Sequence, residues 1–338
     1  MAKPNPCKKP CSNGLLLLGA TLFVLLLLWI LCFTRLHLTL FLDSYFTDPI
    51  NKTISDRVPD SPEGTFYDDP DLSYSVEKPM KNWDEKRRKW LKLHPSVAAG
   101  AQNRILMLTG TQSSPCRNRI GDHLLLRTFK NKVDYCRIHG YDILYNNAHL
   151  HPKMDSYWAK LPIIQASMMA HPEVEWIWWV EADAVFTDME FTLPMEKYKN
   201  HNLVVHGWPN MVYGDKENKS WTGLNTGLFL IRNCQWSMNL INEWARMGPI
   251  SEEYETWGEI LKSTFKDKAF PLPDDQSSLI YMLFKEKERW GEKTYLESEY
   301  DLEAYWVGAV EGYEEVGKEY KGMEEEESSF SCLFELAT

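Results

Sequence analysis

The sequence predicts an α/β protein built on a doubly wound, mostly parallel sheet, set behind a membrane anchor and a flexible stem. Three observations predict it. A charge-free apolar run near the N-terminus is long enough to cross a bilayer; a stretch rich in Asp, Pro, Ser and Gly follows; and from Arg104 onward short apolar runs alternate with longer amphipathic ones. With 338 residues, 44% of them hydrophobic, the chain can bury a sizeable core. Its formal net charge of −11, with no run of Lys and Arg interleaved with aromatics, argues against a nucleic-acid partner held through phosphates.

Residues 1–13 form a short tail that carries Lys3, Lys8 and Lys9. Residues 14–34, GLLLLGATLFVLLLLWILCFT, match the ~20 uncharged residues an apolar helix needs to span a bilayer. A cleaved signal peptide would have a shorter apolar region and a small-residue cleavage site, whereas LCFTRLHLTLF follows here. Lysines precede the span and only Arg35 closely follows it, so the positive-inside rule puts the N-terminus in the cytosol and the bulk of the chain across the membrane. This single-pass, type II topology divides the cysteines. Cys7 and Cys11 are cytosolic and Cys32 ends the span; Cys116, Cys136, Cys234 and Cys332 face an oxidising lumen that permits one or two disulfides of unread pairing. Asn51 and Asn218 fit the glycosylation acceptor pattern.

Residues 35–78 read as the flexible stem, and NWDEKRRKWLKLHP as a charged helix with Trp83, Trp90 and Leu91 on one face, stopped by Pro95. The alternation then begins. RILMLTG is a short buried strand, GDHLLLRTFKNKVDYCRIHG an amphipathic helix ended by Gly140, YDILYNN a second strand, YWAKLPIIQASMMAHP a helix broken by Pro172, and EWIWWVEAD a third strand. A β-α-β-α-β succession with short links closes as a right-handed parallel sheet covered on both faces. Such sheets bind ligands beyond the carboxyl ends of their strands, where Glu181 and Asp183 emerge. Taken alone, an acid-x-acid pair suits an ordinary turn as readily as a site. At alternate strand positions, however, two carboxylates can point the same way, and oxygen-only ligands suit a hard divalent ion such as Mn²⁺ or Mg²⁺ that also touches a diphosphate.

The motifs GDHLLL, KNKVDYCRIHGYDI, SYWAKLP, WWVEADAVFTDMEF, YKNHNLVVHGW, NTGLFLIRNCQWS and PDDQSSL occur in that order. Together they resemble the plant galactomannan galactosyltransferase and xyloglucan xylosyltransferase family, the retaining glycosyltransferase family 34, and within it the galactomannan galactosyltransferase-like members. The resemblance runs from about residue 66 to residue 300. It implies a GT-A fold over residues 79–320, a Golgi location, a UDP-sugar donor and Mn²⁺-dependent transfer with retention at the anomeric carbon.

The resemblance also implies roles. Asp183 becomes the direct metal ligand. Glu181, standing where the family has the first Asp of Asp-x-Asp, contacts the ribose or a metal-bound water; its extra methylene displaces the carboxylate by about 1 Å and weakens donor binding. Thr109, Gly110 and Gln112 match a nucleotide-binding turn, and Lys160 a lysine near the donor phosphates that stabilises the departing diphosphate. Asn225, Thr226 and Gly227 match a loop lining the donor sugar. Asp274, Asp275 and Gln276 match the loop before a closing helix, with one aspartate near the reacting carbon and Gln276 bonded to the sugar. Each position also has a plain reading: a strand-end glycine, a solvated lysine, an acidic helix N-terminus. Trp208, Tyr213 and Trp221 fit a polysaccharide groove or a core equally well.

One departure is marked. Family members end in His-Phe-x-Gly-Cys-x-Pro-Cys, whose histidine completes the metal site, whereas this chain has no histidine after His206 and an acidic, atypical segment over residues 321–338, as expected of a truncated or alternatively spliced product. The expected function is transfer of galactose, or xylose, from its UDP form to a hemicellulose backbone as an α-1,6 branch. The alternative is a catalytically impaired homologue that partners an active relative, and self-association or association with related glycosyltransferases is left open.

Overall fold

The computed structural model describes residues 64–101, 104–111, 113–300 and 302. The expected anchor, most of the stem, Asn51, Gln112, Cys332 and residues 321–338 lie outside the described residues. Among the described residues no helix is long and apolar enough to cross a membrane.

The strands are β1 (Ile105–Gly110), β2 (Asp142–Asn146), β3 (Trp176–Val180), β4 (Leu203–Gly207), β5 (Leu224–Arg232) and β6 (Thr294–Glu297). The longer helices are α1 (Trp83–Leu93), α2 (Arg119–His139), α3 (Lys160–Ala170), α4 (Gln235–Ala245), α5 (Tyr254–Thr264) and α6 (Asp275–Lys285). One sheet holds the strands in the order β2-β1-β3-β5-β4-β6.

The first half follows the sequence reading: β1 pairs parallel with β2 and with β3, as strands joined by crossover helices must. Beyond β3 the sheet departs from it. β5 runs antiparallel to both β3 and β4, while β4 and β6 are parallel. The physical reason is the connection: residues 208–223 bring the chain back at the edge where β4 leaves, without a crossover helix, so β5 must run in reverse.

The five residues of WIWWV are all buried because both faces of the sheet are covered. Ile177 and Trp179 join a core built with Leu161 and Ile164 of α3, Ile241 and Trp244 of α4, and Leu279 and Leu283 of α6. Trp176 and Trp178 face the other way, against Tyr135 and Cys136 of α2. That helix is capped at one end by the Asn118 side chain, which accepts from the Gly121 N–H, and at the other by Gly140 at φ 67°, a left-handed conformation suited to glycine.

The boundary at residue 79 falls inside the packed unit. Phe66, Val76 and Met80 are buried in the α3–α4 core. Gln165 Nε2 donates to the Ser75 carbonyl at 3.1 Å, and Asn242 Nδ2 to the Val76 carbonyl at 2.9 Å. Residues 64–78 are a strap across two helices, and composition hid this because their buried bonds are made by main chain. Cys136 and Cys234 are free thiols, and neither is bridged to Cys116.

Candidate active site

At the carboxyl ends of β1 and β3 lies a cleft of about 680 Å³, lined in part by Gly110, Tyr157, Lys160, Trp179, Glu181 and Asp183. A Cβ on Gly110 would stand 2.4 Å from the Asn146 carbonyl of β2, so pairing of the two strands alone requires the glycine. Thr109 is fully buried and does not line the cleft, and its hydroxyl has no partner among the described residues. Thr109 lies one residue inside the strand end, paired with Tyr145 of β2, so its placement gives the expected nucleotide contact no support. Thr111, two positions on, lines the cleft instead, with its hydroxyl 2.9 Å from that of Tyr145.

Lys160, expected as a cation facing the diphosphate, is a buried strut. Its Nζ lies 3.0 Å from Glu181 Oε1, 2.8 Å from Asp275 Oδ2 and 2.9 Å from the Thr226 carbonyl, which uses all three ammonium hydrogens. Burial alone would lower its pKa, but the carboxylates of Asp275 and Glu181 outweigh that and hold it above the ordinary lysine value. The strut therefore stays charged and ties the end of β3 to the start of α6.

The other expected residues gather around this strut. Thr226 Oγ1 donates to Asp275 Oδ2 at 2.7 Å, the Gly227 carbonyl accepts the Glu181 N–H at 3.0 Å, and Asn225 Oδ1 accepts the Gly227 N–H at 2.8 Å. Asp274 caps α6 by accepting the Ser277 N–H at 2.8 Å, and it pairs with Lys268 in a buried bridge. Gln276 Nε2 donates to the Trp221 carbonyl at 3.0 Å. Asp274 and Asp275 are both buried and engaged: the helix-terminus reading of PDDQ describes the contacts of Asp274, whereas Asp275 is held by Lys160 and Thr226. Trp208 is 38% exposed, whereas Tyr213 and Trp221 pack against the core.

Asp183 is exposed at the cleft wall. Its charge acts on Lys132 of α2, whose burial pushes the ammonium pKa down to about 8 against that pull. Four carboxylates (Asp155, Glu181, Asp183, Asp275) against two lysines (Lys132, Lys160) leave two net negative charges here, which favours a cation. Among the described residues no group of three or more His, Cys, Asp or Glu side chains is placed to hold a metal. The donor set still fits a hard ion that completes its shell from substrate, because Mg²⁺-like ions are commonly held by one or two carboxylates plus substrate phosphates. Asp183 and the Glu181 oxygen not taken by Lys160 would hold it.

Sequence reasoning missed Lys132, Thr111 and Tyr145. The signal for Lys132 was present: a polar residue recurring at helical spacing in TFKNKVDYCRIH.

Residues 101–335 match the galactosyl transferase GMA12/MNN10 family, a stretch that reaches into the C-terminal segment set aside above as atypical. The chain is 54% identical to "Galactomannan galactosyltransferase 1" of Cyamopsis tetragonoloba over 333 residues, covering 95% of this chain and 76% of that one. It is 53% identical to "Glycosyltransferase 6" of Arabidopsis thaliana over 338 residues, covering 97% and 76%. A crystal structure of a glycosyltransferase involved in the glycosylation of the major capsid of PBCV-1 is similar at 17% identity and a TM-score of 0.36, over 59% of this chain and 84% of that one, too slight a likeness to support an argument. On the strength of the family match and the two close relatives, the chain belongs to the galactosyl transferase GMA12/MNN10 family and is an enzyme of the glycosyltransferase class.

Proposed function

We propose that this protein is a single-pass, type II Golgi membrane glycosyltransferase of GT-A type. It transfers galactose from UDP-galactose, with UDP-xylose as the rival donor, to a polysaccharide backbone with retention, forming an α-1,6 branch. The observation that carries the reading is the acidic end of β3, Glu181 and Asp183, standing on a cleft beyond the strand ends. The name of the Cyamopsis relative favours galactose and a mannan acceptor.

A Mn²⁺ held by Asp183 and Glu181 would supply positive charge to offset the negative charge that develops on the diphosphate as the glycosidic bond breaks. The chain's own residues prepare the site for it. Asp183 presents an exposed carboxylate; Lys160 fixes Glu181 from below and locks the N-terminus of α6 against β5 through Asp275 and Thr226. With the Glu181 and Asp275 carboxylates engaged by Lys160, the chemistry reduces to orientation: the acceptor hydroxyl attacks on the leaving-group side as the bond to the diphosphate breaks, and its proton passes to a phosphate oxygen.

The full chain is expected to release UDP from UDP-galactose in Mn²⁺, with Asp183→Asn lowering the rate more than about 100-fold, beyond the range for groups that only support ligands. No release from UDP-galactose or UDP-xylose would overturn the enzyme reading for this chain. One observation favours a second reading: the engagement of Glu181 with Lys160 fits an impaired partner subunit. A chain silent alone that raises the activity of a co-expressed relative supports that reading.

A further inference from the structure

Helix α2 turns a polar stripe toward the segment that follows β3. Thr128, Asn131, Lys132, Tyr135 and His139 recur at spacings of three and four, which places them on one helix face. Every one of them bonds to main chain between Ala182 and Phe191. Thr128 Oγ1 donates to the Ala182 carbonyl at 2.6 Å, and Lys132 Nζ donates to the carbonyls of Ala182 at 3.0 Å and Ala184 at 2.6 Å. Asn131 exchanges two bonds with Phe186, giving from Nδ2 to the carbonyl at 3.0 Å and accepting the N–H at 2.7 Å. His139 Nε2 bonds the Met189 carbonyl at 2.8 Å, and the Tyr135 hydroxyl donates to the Phe191 carbonyl at 2.6 Å.

The segment thus held pairs with no strand among the described residues and carries Asp183. Without α2, its carbonyls would have no partner but water and its shape no template. Lys132 makes the most demanding of these contacts. It is fully buried and forms no ion pair among the described residues, an arrangement that is costly for an ammonium group. What it gains is a grip on both carbonyls that flank Asp183. Two fixed neighbours define the direction of the residue between them.

We propose that Lys132, together with Thr128, is a positioning residue that aims the Asp183 carboxylate at the cation that would bind the donor diphosphate. The inference rests on the reading of Asp183 given under Proposed function. A stability role alone would not require a charged donor shared between the two carbonyls beside one exposed acid; it predicts loss of folding without a specific loss of metal response.

The test uses the full chain and three variants: Lys132→Met, which keeps the stem and removes the ammonium; Thr128→Val, which is isosteric; and Asp183→Asn. Backbone hydrogen exchange without metal should quicken for residues 182–186 in Lys132→Met and Thr128→Val while β5 keeps its protection. Titration of UDP binding with Mn²⁺ should show the half-saturating metal concentration rising about 10-fold to 100-fold, the range for groups that orient ligands, with turnover at saturating metal near wild type. If Lys132→Met does not fold, Thr128→Val reads the same two quantities. Should Asp183→Asn abolish the metal response while both α2 variants retain it unchanged, the positioning role is overturned. Should Asp183→Asn itself leave the response intact, the reading of Asp183 falls first and this inference with it.

Discussion

At the scale of single residues, the site is organised by one buried lysine. Lys160 sits between two acids of unlike exposure: the Asp275 side chain is 6% exposed and that of Glu181 35%. Removing the cation leaves Asp275 charged and desolvated, the expensive way to break a buried pair, whereas Glu181 can still draw on solvent. Lys160→Met is therefore expected to cost about 3–5 kcal/mol in urea denaturation, and adding Asp275→Asn should return part of it, a coupling that a double-mutant cycle reads directly. The acid pair at residues 181 and 183 was legible in sequence because strand period and polarity both mark it. The partner of Lys160 was not, since nothing in SYWAKLP says that PDDQ, more than a hundred residues later, packs opposite. The depth of Thr109 was not legible for a simpler reason: where β1 ends and the cleft opens depends on pairing with β2 that one strand does not reveal.

At the scale of elements, the run from β1 to β3 could be read because each piece is long or strongly periodic and ends at a breaker, Gly140 and Pro172 among them. The buried face of one helix and the whole of one strap escaped that logic. Helix α2 inverts the usual pattern: Ile120 and Leu126 are exposed while Thr128 and Lys132 are buried, so its amphipathicity points the wrong way. The strap over residues 64–78 reads as stem because it is polar and aperiodic, yet its carbonyls satisfy Gln165 and Asn242. A chain that starts at residue 79 loses these partners at about 1–3 kcal/mol for each orphaned amide, and loses the burial of Phe66 and Val76 as well. Its melting temperature should fall well below that of a chain starting at residue 60, compared by calorimetry; equal stability of the two would show the strap to be dispensable.

At the scale of the whole molecule, the far edge of the sheet is closed by a buried carboxylate. Glu297, at the end of β6, accepts from the Tyr198 hydroxyl at 2.7 Å and from Lys197 Nζ at 2.9 Å, joining the short helix Met195–Tyr198 to the last described strand. Burial would raise its pKa, but the bonds from Tyr198, the Glu299 N–H and Lys197 together hold it below the ordinary glutamate value. A group lowered in the folded state contributes stability above its unfolded pKa and loses it as pH falls through the folded one. Glu297→Gln should therefore melt below wild type at neutral pH, with the gap narrowing under about pH 4, which thermal scans across pH will measure.

The reversal of β5 reaches further than the sheet. In an all-parallel sheet every strand would exit at the cleft and none would arrive there; here one arrives, and with it comes the connection over residues 208–223 bearing Trp208 and Trp221. Insertions in that arriving connection would change the rim of the sheet while leaving the pairing of β3 with β1, and the acids that follow β3, where they are.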